Sequence, residues 1–181
     1  DANFFLLDNR YHKSPRGSEN GSTLGEEQKE WLLAALNSST ATFKFVISGV
    51  QSLNQYDIKY NEGFLEFPEE QAALIEYIRE ADIEGLVFVS GDRHFSELYR
   101  LAAPNAAEDY DLYEVTTSPV SSPTLNWPFT ISSPKNPLAV PNTKYWYPNF
   151  CKIKISRSTI YYSVYCFFIF HFSKSFLMNI I

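Results

Sequence analysis

A short apolar run followed directly by charged and imidazole side chains most constrains this chain. Residues 86–90, Leu-Val-Phe-Val-Ser, lie between two glycines, and this short, valine-containing run predicts a buried strand rather than a helix. Asp92, Arg93 and His94 come directly after it. Because open α/β sheets place their ligands at the carboxyl ends of strands, a functional site is expected here.

Asp92 and His94 are candidate metal ligands, since a carboxylate offers hard oxygen atoms and an imidazole offers a nitrogen. If the backbone stays extended, residues two apart point the same way, so both side chains could reach one metal site. Gly91 allows a sharp turn and a close approach of the backbone to a bound group. An ordinary turn can carry the same Asp-x-His spacing, and the residues alone leave both interpretations open.

The pattern of apolar runs and amphipathic stripes predicts an α/β fold. Strands are predicted at residues 4–7, 43–49, 86–90 and 112–116. Helices are predicted after Thr23, which with Glu26 has capping-box spacing, and from Pro68, which suits a first helical position. The order βαβαβ, with further strands to follow, implies a layered domain with right-handed crossovers. Residues 51–67 are interpreted as a functional or surface loop.

The predicted strand ends bring further side chains to the same place. Asp8 and Arg10 follow the first strand as Asp92, Arg93 and His94 follow the third. If the strands are parallel neighbours, these side chains form one cluster of metal ligands and phosphate-binding guanidiniums. Arginine suits phosphate because its planar fork donates two parallel hydrogen bonds. A salt bridge between Asp8 and Arg10, or a loop brace, is the alternative interpretation of these two residues.

Charge and composition narrow the function classes. The net charge is −6, and all 21 acidic residues lie at or before Glu114. This acidic part argues against a nucleic-acid-binding surface, because phosphates require a basic face. Cys151 and Cys166 form no disulfide framework, and no feature of the sequence indicates the oligomeric state.

The last 31 residues differ in composition from the rest. Residues 151–181 are rich in Ile, Phe, Tyr, Ser and Lys and contain no Gly, Pro, Asp or Glu. The apolar run 161–172 is too short for a transmembrane helix, which needs ~20 residues. After Ser156 an isolated strand or a disordered apolar tail is therefore expected, and truncation there is expected to raise solubility.

Several motifs in one order and spacing carry a family resemblance. They are Phe-Phe-Leu-Leu-Asp-Asn-Arg-Tyr at 4–11, Leu-Gly-Glu-Glu-Gln at 24–28, residues 43–50, Val-Phe-Val-Ser-Gly-Asp-Arg-His-Phe-Ser-Glu-Leu at 87–98, and Tyr-Glu-Val-Thr-Thr-Ser-Pro at 113–119. Over residues 1–150 the chain resembles the carboxyl-terminal half of the catalytic domain of PhoD-like (alkaline phosphatase D) metallophosphoesterases. Residues 151–181 are expected to be an atypical tail.

The resemblance implies a partial calcineurin-like sandwich and metal-dependent hydrolysis of phosphate monoesters or diesters. It implies a multinuclear centre of iron with calcium, or of other divalent cations, to which Asp92 and His94 contribute as catalytic metal ligands. The family's other ligands come from motifs nearer the amino terminus. The chain begins with Asp1 rather than Met and enters its first predicted strand almost at once, so an incomplete fragment with little activity of its own is expected. Family members are expected to be secreted, periplasmic or in the cell envelope.

Two other functions remain open from the sequence. One is a non-catalytic remnant that keeps part of the fold and binds metal weakly or not at all. The other is a secreted binding module whose aromatic loop, residues 56–67, holds a partner. Glycosylation triplets at Asn20 and Asn37 fit secretion, although such triplets are common by chance.

Overall fold

Residues 86–90 form the middle strand of a five-stranded sheet in the computed structural model. The structure describes residues 1–55, 62–105, 110–122, 136–156, 159–166 and 173–178. The strands are β1 (Ala2–Leu6), β2 (Phe43–Ile47), β3 (Leu86–Ser90), β4 (Glu97–Leu101), β5 (Leu112–Thr116), β6 (Asn149–Ser156), β7 (Thr159–Cys166) and β8 (Ser173–Met178). The helices are α1 (Glu26–Ser38), α2 (Pro68–Glu80) and a 3₁₀ turn at Phe64–Glu66.

The five-stranded sheet has the order β1-β2-β3-β5-β4. The first four of these strands are parallel and β4 is antiparallel to β5. The predicted βαβαβ order and the fourth strand at Leu112–Thr116 are therefore confirmed, and β4 is an addition to the prediction. In register, Leu6 pairs with Ile47 and Ile47 with Val89, so the carboxyl ends of β1, β2 and β3 lie side by side.

One face of this sheet packs against the two helices. α1 buries Leu32 and Leu36, and α2 buries Leu74 and Ile78, as their 3.6-residue stripes predict. They pack with Phe88 and other buried side chains of the sheet in one apolar cluster. Both crossover helices therefore lie on the same face of the sheet, where their apolar side chains are buried.

The other face packs against β6. In β6 the alternate residues Cys151, Ile153 and Ile155 lie against a cluster of buried sheet residues that includes Phe45 and Val87. β6 itself belongs to a three-stranded antiparallel sheet of order β6-β7-β8. The result is a layer of helices, a mostly parallel sheet and a second sheet, which confirms the predicted layered α/β class.

Helix α1 begins later than its sequence predicts. Its N-cap position is Gly25, with φ of 70° and no side-chain cap, so the prediction of Thr23 as N-cap is wrong. Thr23 is fully buried, and its backbone N–H donates to the Glu70 carboxylate at 2.6 Å. The Ser22 hydroxyl oxygen accepts the Gly25 N–H at 2.7 Å. A carboxylate from α2 thus binds the turn before α1 and removes the need for a Thr23 cap.

The loop after β2 is more buried than a surface loop. Gln51, Ser52 and Asn54 are buried, and so are Phe64 and Phe67 at its far end. Residues 56–61 lie outside the described residues. The two phenylalanines form part of the protein interior, which contradicts the interpretation that they hold a partner.

The strands after Ser156 correct the predicted isolated strand or disordered tail. β7 pairs with β6 along its length, from Thr159 opposite Ser156 to Cys166 opposite Asn149, and β8 pairs with β7. Pairing between these strands satisfies backbone groups that an isolated strand would leave without partners. Among the described residues no helix is long and apolar enough to cross a membrane.

Truncation after Ser156 is therefore expected to destabilise the protein rather than leave it unchanged. β6, already an edge strand, would lose its pairing with β7, at a cost of about 1 kcal/mol or more, since cross-strand pairs contribute roughly 0.2–1 kcal/mol each. Urea unfolding and soluble yield of residues 1–181 and 1–156 measure this. An equally stable and more soluble 1–156 would support the sequence-based expectation instead.

Candidate functional site

A cavity lies where the carboxyl ends of the three neighbouring strands meet. Its volume is ≈ 370 Å³. It is lined by residues that follow β1, β2 and β3, namely Leu7, Asp8, Asn9, Arg10, Gly49, Val50 and Asp92. Three of the five predicted site residues, Asp8, Arg10 and Asp92, therefore line one cavity. This is the position that the strand-end argument predicts for a ligand.

Asp8 braces the loop that follows β1. Its Oδ1 accepts the backbone N–H groups of Arg10 and Tyr11, both at 2.8 Å. The Tyr11 and Arg10 N–H groups hold the pKa of the Asp8 carboxyl below its ordinary value, because they stabilise the charged form. Gln28 of α1 also holds Asp8, accepting its backbone N–H at 2.7 Å and donating to its carbonyl at 2.8 Å. The carboxylate is thus anionic at neutral pH and fixed in orientation.

Arg10 forms its ion pair with Glu62, with 2.7 Å between Nη2 and Oε2. The two side chains are 71% and 40% exposed. Exposed pairs of this kind contribute only ~0–1 kcal/mol, so an anionic ligand can replace Glu62 at the guanidinium. The alternative of a salt bridge between Asp8 and Arg10 is therefore wrong, whereas the alternative of a loop brace is confirmed for Asp8.

The turn at residues 91–95 differs from the extended backbone that the sequence argument assumed. Asp92 and His94 both have positive φ, 65° and 56°, and the Arg93 N–H donates to the Gly91 carbonyl at 2.8 Å. The alternation that would point Asp92 and His94 the same way is therefore absent. Non-glycine residues in the left-handed region are uncommon and cluster at functional sites.

The members of this turn take different places. Asp92 is exposed and lines the cavity, whereas the half-buried Arg93 and His94 do not belong to its lining. The His94 N–H donates to the Ser118 hydroxyl at 3.0 Å, and the Arg93 guanidinium lies 5.8 Å from the centre of the Phe95 ring. The structure therefore brings Asp92 together with Asp8 and Arg10 and leaves Arg93 and His94 beside them.

Comparison with known proteins decides the family. The family model described as PhoD-like phosphatase matches residues 1–157. The chain belongs to the PhoD-like phosphatase family. No curated protein matches the chain.

A solved structure described as "Structure of PhoD" is similar to this PhoD-like chain, with a TM-score of 0.78 at 16% sequence identity. The match covers 98% of this chain and 40% of the PhoD chain. At this identity the likeness shows the fold, and it agrees with the layered α/β architecture. The PhoD-like chain spans about 40% of the length of that structure.

The described residues of the PhoD-like chain do not form a complete metal site. Within the described ranges, no group of three or more His, Cys, Asp or Glu side chains is placed to hold a metal ion. Asp92 and Asp8 nevertheless provide the oxygen donors that hard cations prefer, at the rim of one cavity. These residues fit a metal ion as contributors rather than as a complete set.

Two residues that the sequence reasoning missed support the cavity of the PhoD-like chain. Asn9 is buried, and its Oδ1 accepts the Gly49 N–H at 2.8 Å, which ties the loop after β1 to the loop after β2. Glu114 of β5 is fully buried, and its two carboxylate oxygens accept the N–H groups of Ser52 and Leu53 at 2.8 and 2.7 Å. For Glu114, the sequence signal was a glutamate inside a predicted buried strand, since a buried carboxylate needs hydrogen-bond partners.

Proposed function

We propose that this chain forms part of the catalytic domain of a metal-dependent phosphoesterase that hydrolyses phosphate monoesters and diesters. One observation carries the proposal: in a member of the PhoD-like phosphatase family, two carboxylates and a guanidinium line one cavity at the carboxyl ends of β1, β2 and β3. A guanidinium matches the geometry and charge of a phosphate group, and the carboxylates match a cation.

Each predicted site residue has a proposed role. Arg10 donates hydrogen bonds to phosphate oxygens, and Asp8 positions Arg10 by accepting its backbone N–H. Asp92 is a catalytic metal ligand at the cavity. His94, from the same turn, is the second proposed metal ligand, and Arg93 is a second cation for substrate binding.

The proposed cofactor is a multinuclear centre of iron with calcium, or of other divalent cations. Such ions would neutralise charge on the ester and lower the pKa of a water molecule to near neutrality. Asp92 and His94 would hold part of this centre, and Arg10 would orient the phosphate beside it. Since ligands of a two-metal site converge from several strands, further donors are needed to complete it.

We propose residues 1–150 as the carboxyl-terminal part of a PhoD-like domain and residues 151–181 as an atypical tail. Residue 150 lies within β6, whose Cys151, Ile153 and Ile155 pack on the sheet. The division therefore concerns composition rather than a gap in packing.

A second candidate function is a non-catalytic remnant of the same fold. The observation that favours it is that, across the residues described, no three potential ligands are placed to hold a metal ion. A remnant would keep the cavity without metal-dependent turnover, so metal binding separates the two candidates.

Replacing Asp92 by Asn is expected to weaken metal binding more than about tenfold, the scale that even outer-shell partners of a metal reach. Turnover should fall with it. The assay follows a chromogenic phosphomonoester and phosphodiester with and without iron and calcium. Because the chain spans 40% of the matched PhoD structure, we expect little turnover from residues 1–181 alone. The variant is therefore tested in a protein that carries these residues together with the remaining length of the fold.

Asp82→Asn is the matched control for this substitution. Asp82 is also exposed and has a positive φ of 50°, but it lies before β3 rather than after it. The Asp82→Asn variant should leave the metal content and the rate of hydrolysis unchanged. Retention of both metal and rate by Asp92→Asn would remove Asp92 from the site, and robust turnover by residues 1–181 would contradict the fragment expectation.

A further inference from the structure

We infer that Glu62 sets the charge preference of the phosphate site, by competing for the Arg10 guanidinium and by disfavouring a dianionic phosphate more than a monoanionic phosphodiester. This inference rests on the proposed function, which assigns phosphate binding to Arg10. Glu62 would then be a specificity-determining residue that touches the substrate-binding cation.

Arg10 is shared between two adjoining cavities. It lines the ≈ 370 Å³ cavity together with Asp92, and it lines a second cavity of ≈ 250 Å³ together with Glu62. The 2.7 Å contact between Arg10 Nη2 and Glu62 Oε2 joins the two. A phosphate bound to Arg10 in the first cavity would therefore lie close to the Glu62 carboxylate in the second.

The backbone holds Glu62 in this place. Lys13 Nζ donates to the Glu62 carbonyl at 3.2 Å and pairs with Glu66 at 2.5 Å. The side chains of Lys13 and Glu66 are only 14% and 8% exposed, so this anchor is shielded from solvent. Two residues further on, the Phe64 N–H donates to the Gln51 carbonyl at 3.0 Å. These contacts hold the Glu62 backbone within side-chain reach of Arg10.

The consequence for a ligand depends on the ligand's charge. Binding of any anion to Arg10 first requires breaking the Glu62–Arg10 ion pair, and this free-energy cost is the same for every anion. The Glu62 carboxylate then repels the bound ligand in proportion to that ligand's charge, so a dianion is penalised about twice as much as a monoanion on a logarithmic scale. A residue with a purely structural role would affect both ligands equally.

The test measures binding of two anions to isotopically labelled residues 1–181 by nuclear magnetic resonance, with Mg²⁺ present. Inorganic phosphate at about pH 8.5 is a dianion, since second phosphate pKa values lie near 6–7, and dimethyl phosphate is a monoanion. Glu62→Gln is expected to tighten inorganic phosphate about fivefold and dimethyl phosphate about threefold, the range that exposed ion pairs allow.

Glu84→Gln and Arg10→Gln are the comparison variants. Glu84 is an exposed carboxylate that precedes β3, at the opposite end of the strand from Asp92, and its removal should change neither affinity. Arg10→Gln should weaken both anions and abolish the Glu62→Gln effect. If Glu62→Gln changes the affinity for both anions equally, or changes it no more than Glu84→Gln does, the inference about Glu62 is wrong while the proposed phosphate site stands. Absence of binding by the parent, or binding that Arg10→Gln does not change, overturns the proposed phosphate site and the inference with it.

Discussion

Replacing Gly85 by Ala is expected to lower the free energy of unfolding by about 3 kcal/mol or more, because it combines left-handed strain with an overpacked contact. Gly85 has a φ of +69°, a conformation that disfavours any Cβ atom. The added Cβ would lie 2.0 Å from the backbone carbonyl oxygen of Thr42. No real Cβ contact is that short, so one of the two backbone segments must move.

Neither segment can move without breaking sheet pairing. The Gly85 carbonyl accepts the Lys44 N–H at 2.9 Å, directly before the β2–β3 ladder begins. The Thr42 N–H donates to the Asp1 carboxylate at 2.7 Å, and β2 starts at the next residue. Strain at Gly85 is therefore transmitted to the strand that delivers Asp92.

Gly17→Ala separates the two causes. Gly17 has a similar φ of +78°, but an added Cβ there would meet no atom within 4 Å. We expect about 1 kcal/mol of destabilisation from its left-handed backbone alone. Urea unfolding of both variants gives the difference. Equal destabilisation at the two positions would show that the contact with Thr42 relaxes freely.

Replacing Glu114 by Ala is expected to cost about 3–5 kcal/mol, since two buried backbone N–H groups lose their acceptor, at roughly 1–3 kcal/mol each, and the missing side chain leaves a cavity. The substitution removes the acceptors of the Ser52 and Leu53 N–H groups and leaves a cavity. Glu114→Gln keeps one acceptor oxygen and should cost less. Glu30→Ala, at an exposed position on α1, should stay within about 0.5 kcal/mol. A Glu114→Ala variant as stable as Glu30→Ala would show that the loop does not depend on this carboxylate.

The stability contributed by Glu114 should also depend on pH. Burial raises the pKa of the Glu114 carboxyl above its ordinary value of 4.5, against the hydrogen bonds from Ser90, Ser52 and Leu53 that lower it. The folded state then binds the Glu114 proton more tightly than the unfolded state does. The contribution of Glu114 to the free energy of unfolding is therefore greatest below pH 4.5 and is lost as the pH rises through the folded pKa. The stability difference between parent and Glu114→Gln should shrink correspondingly with rising pH, and urea unfolding at several pH values measures it. A difference that grows with pH would contradict this sign.

The parts of the fold that the sequence predicted are those with local signals. β1, β2 and β3 are mainly apolar runs, β5 contains Leu, Tyr, Val and Thr with high β-propensity, and both helices carry buried stripes, so local pattern was sufficient. β4, Glu-Leu-Tyr-Arg-Leu, mixes charges with apolar residues and is defined by its pairing with β5. β7 and β8 likewise depend on antiparallel partners, which the composition of a tail does not reveal.

The site divides in the same way. Strand-end reasoning was enough to bring Asp8, Arg10 and Asp92 to one cavity, because the direction of parallel strands follows from the order of elements. The left-handed backbone of Asp92 and His94 was not predictable from a strand pattern. Asn9 and Glu114 act on backbone N–H groups of distant loops, so their importance appears only after the chain is folded.

The register of the parallel strands has a kinetic consequence for the cavity. Ala2 pairs with Phe43 and Lys44 pairs with Leu86, so each ladder that positions the cavity closes a long loop of chain. The chain loses entropy on closing these loops before the stabilising strand contacts form, and folding of non-local topologies is slow for this reason. Helices α1 and α2 can form earlier, but they contribute no lining residue to the cavity. During refolding, helical signal should therefore appear before ligand affinity, which arises only once β1, β2 and β3 are aligned.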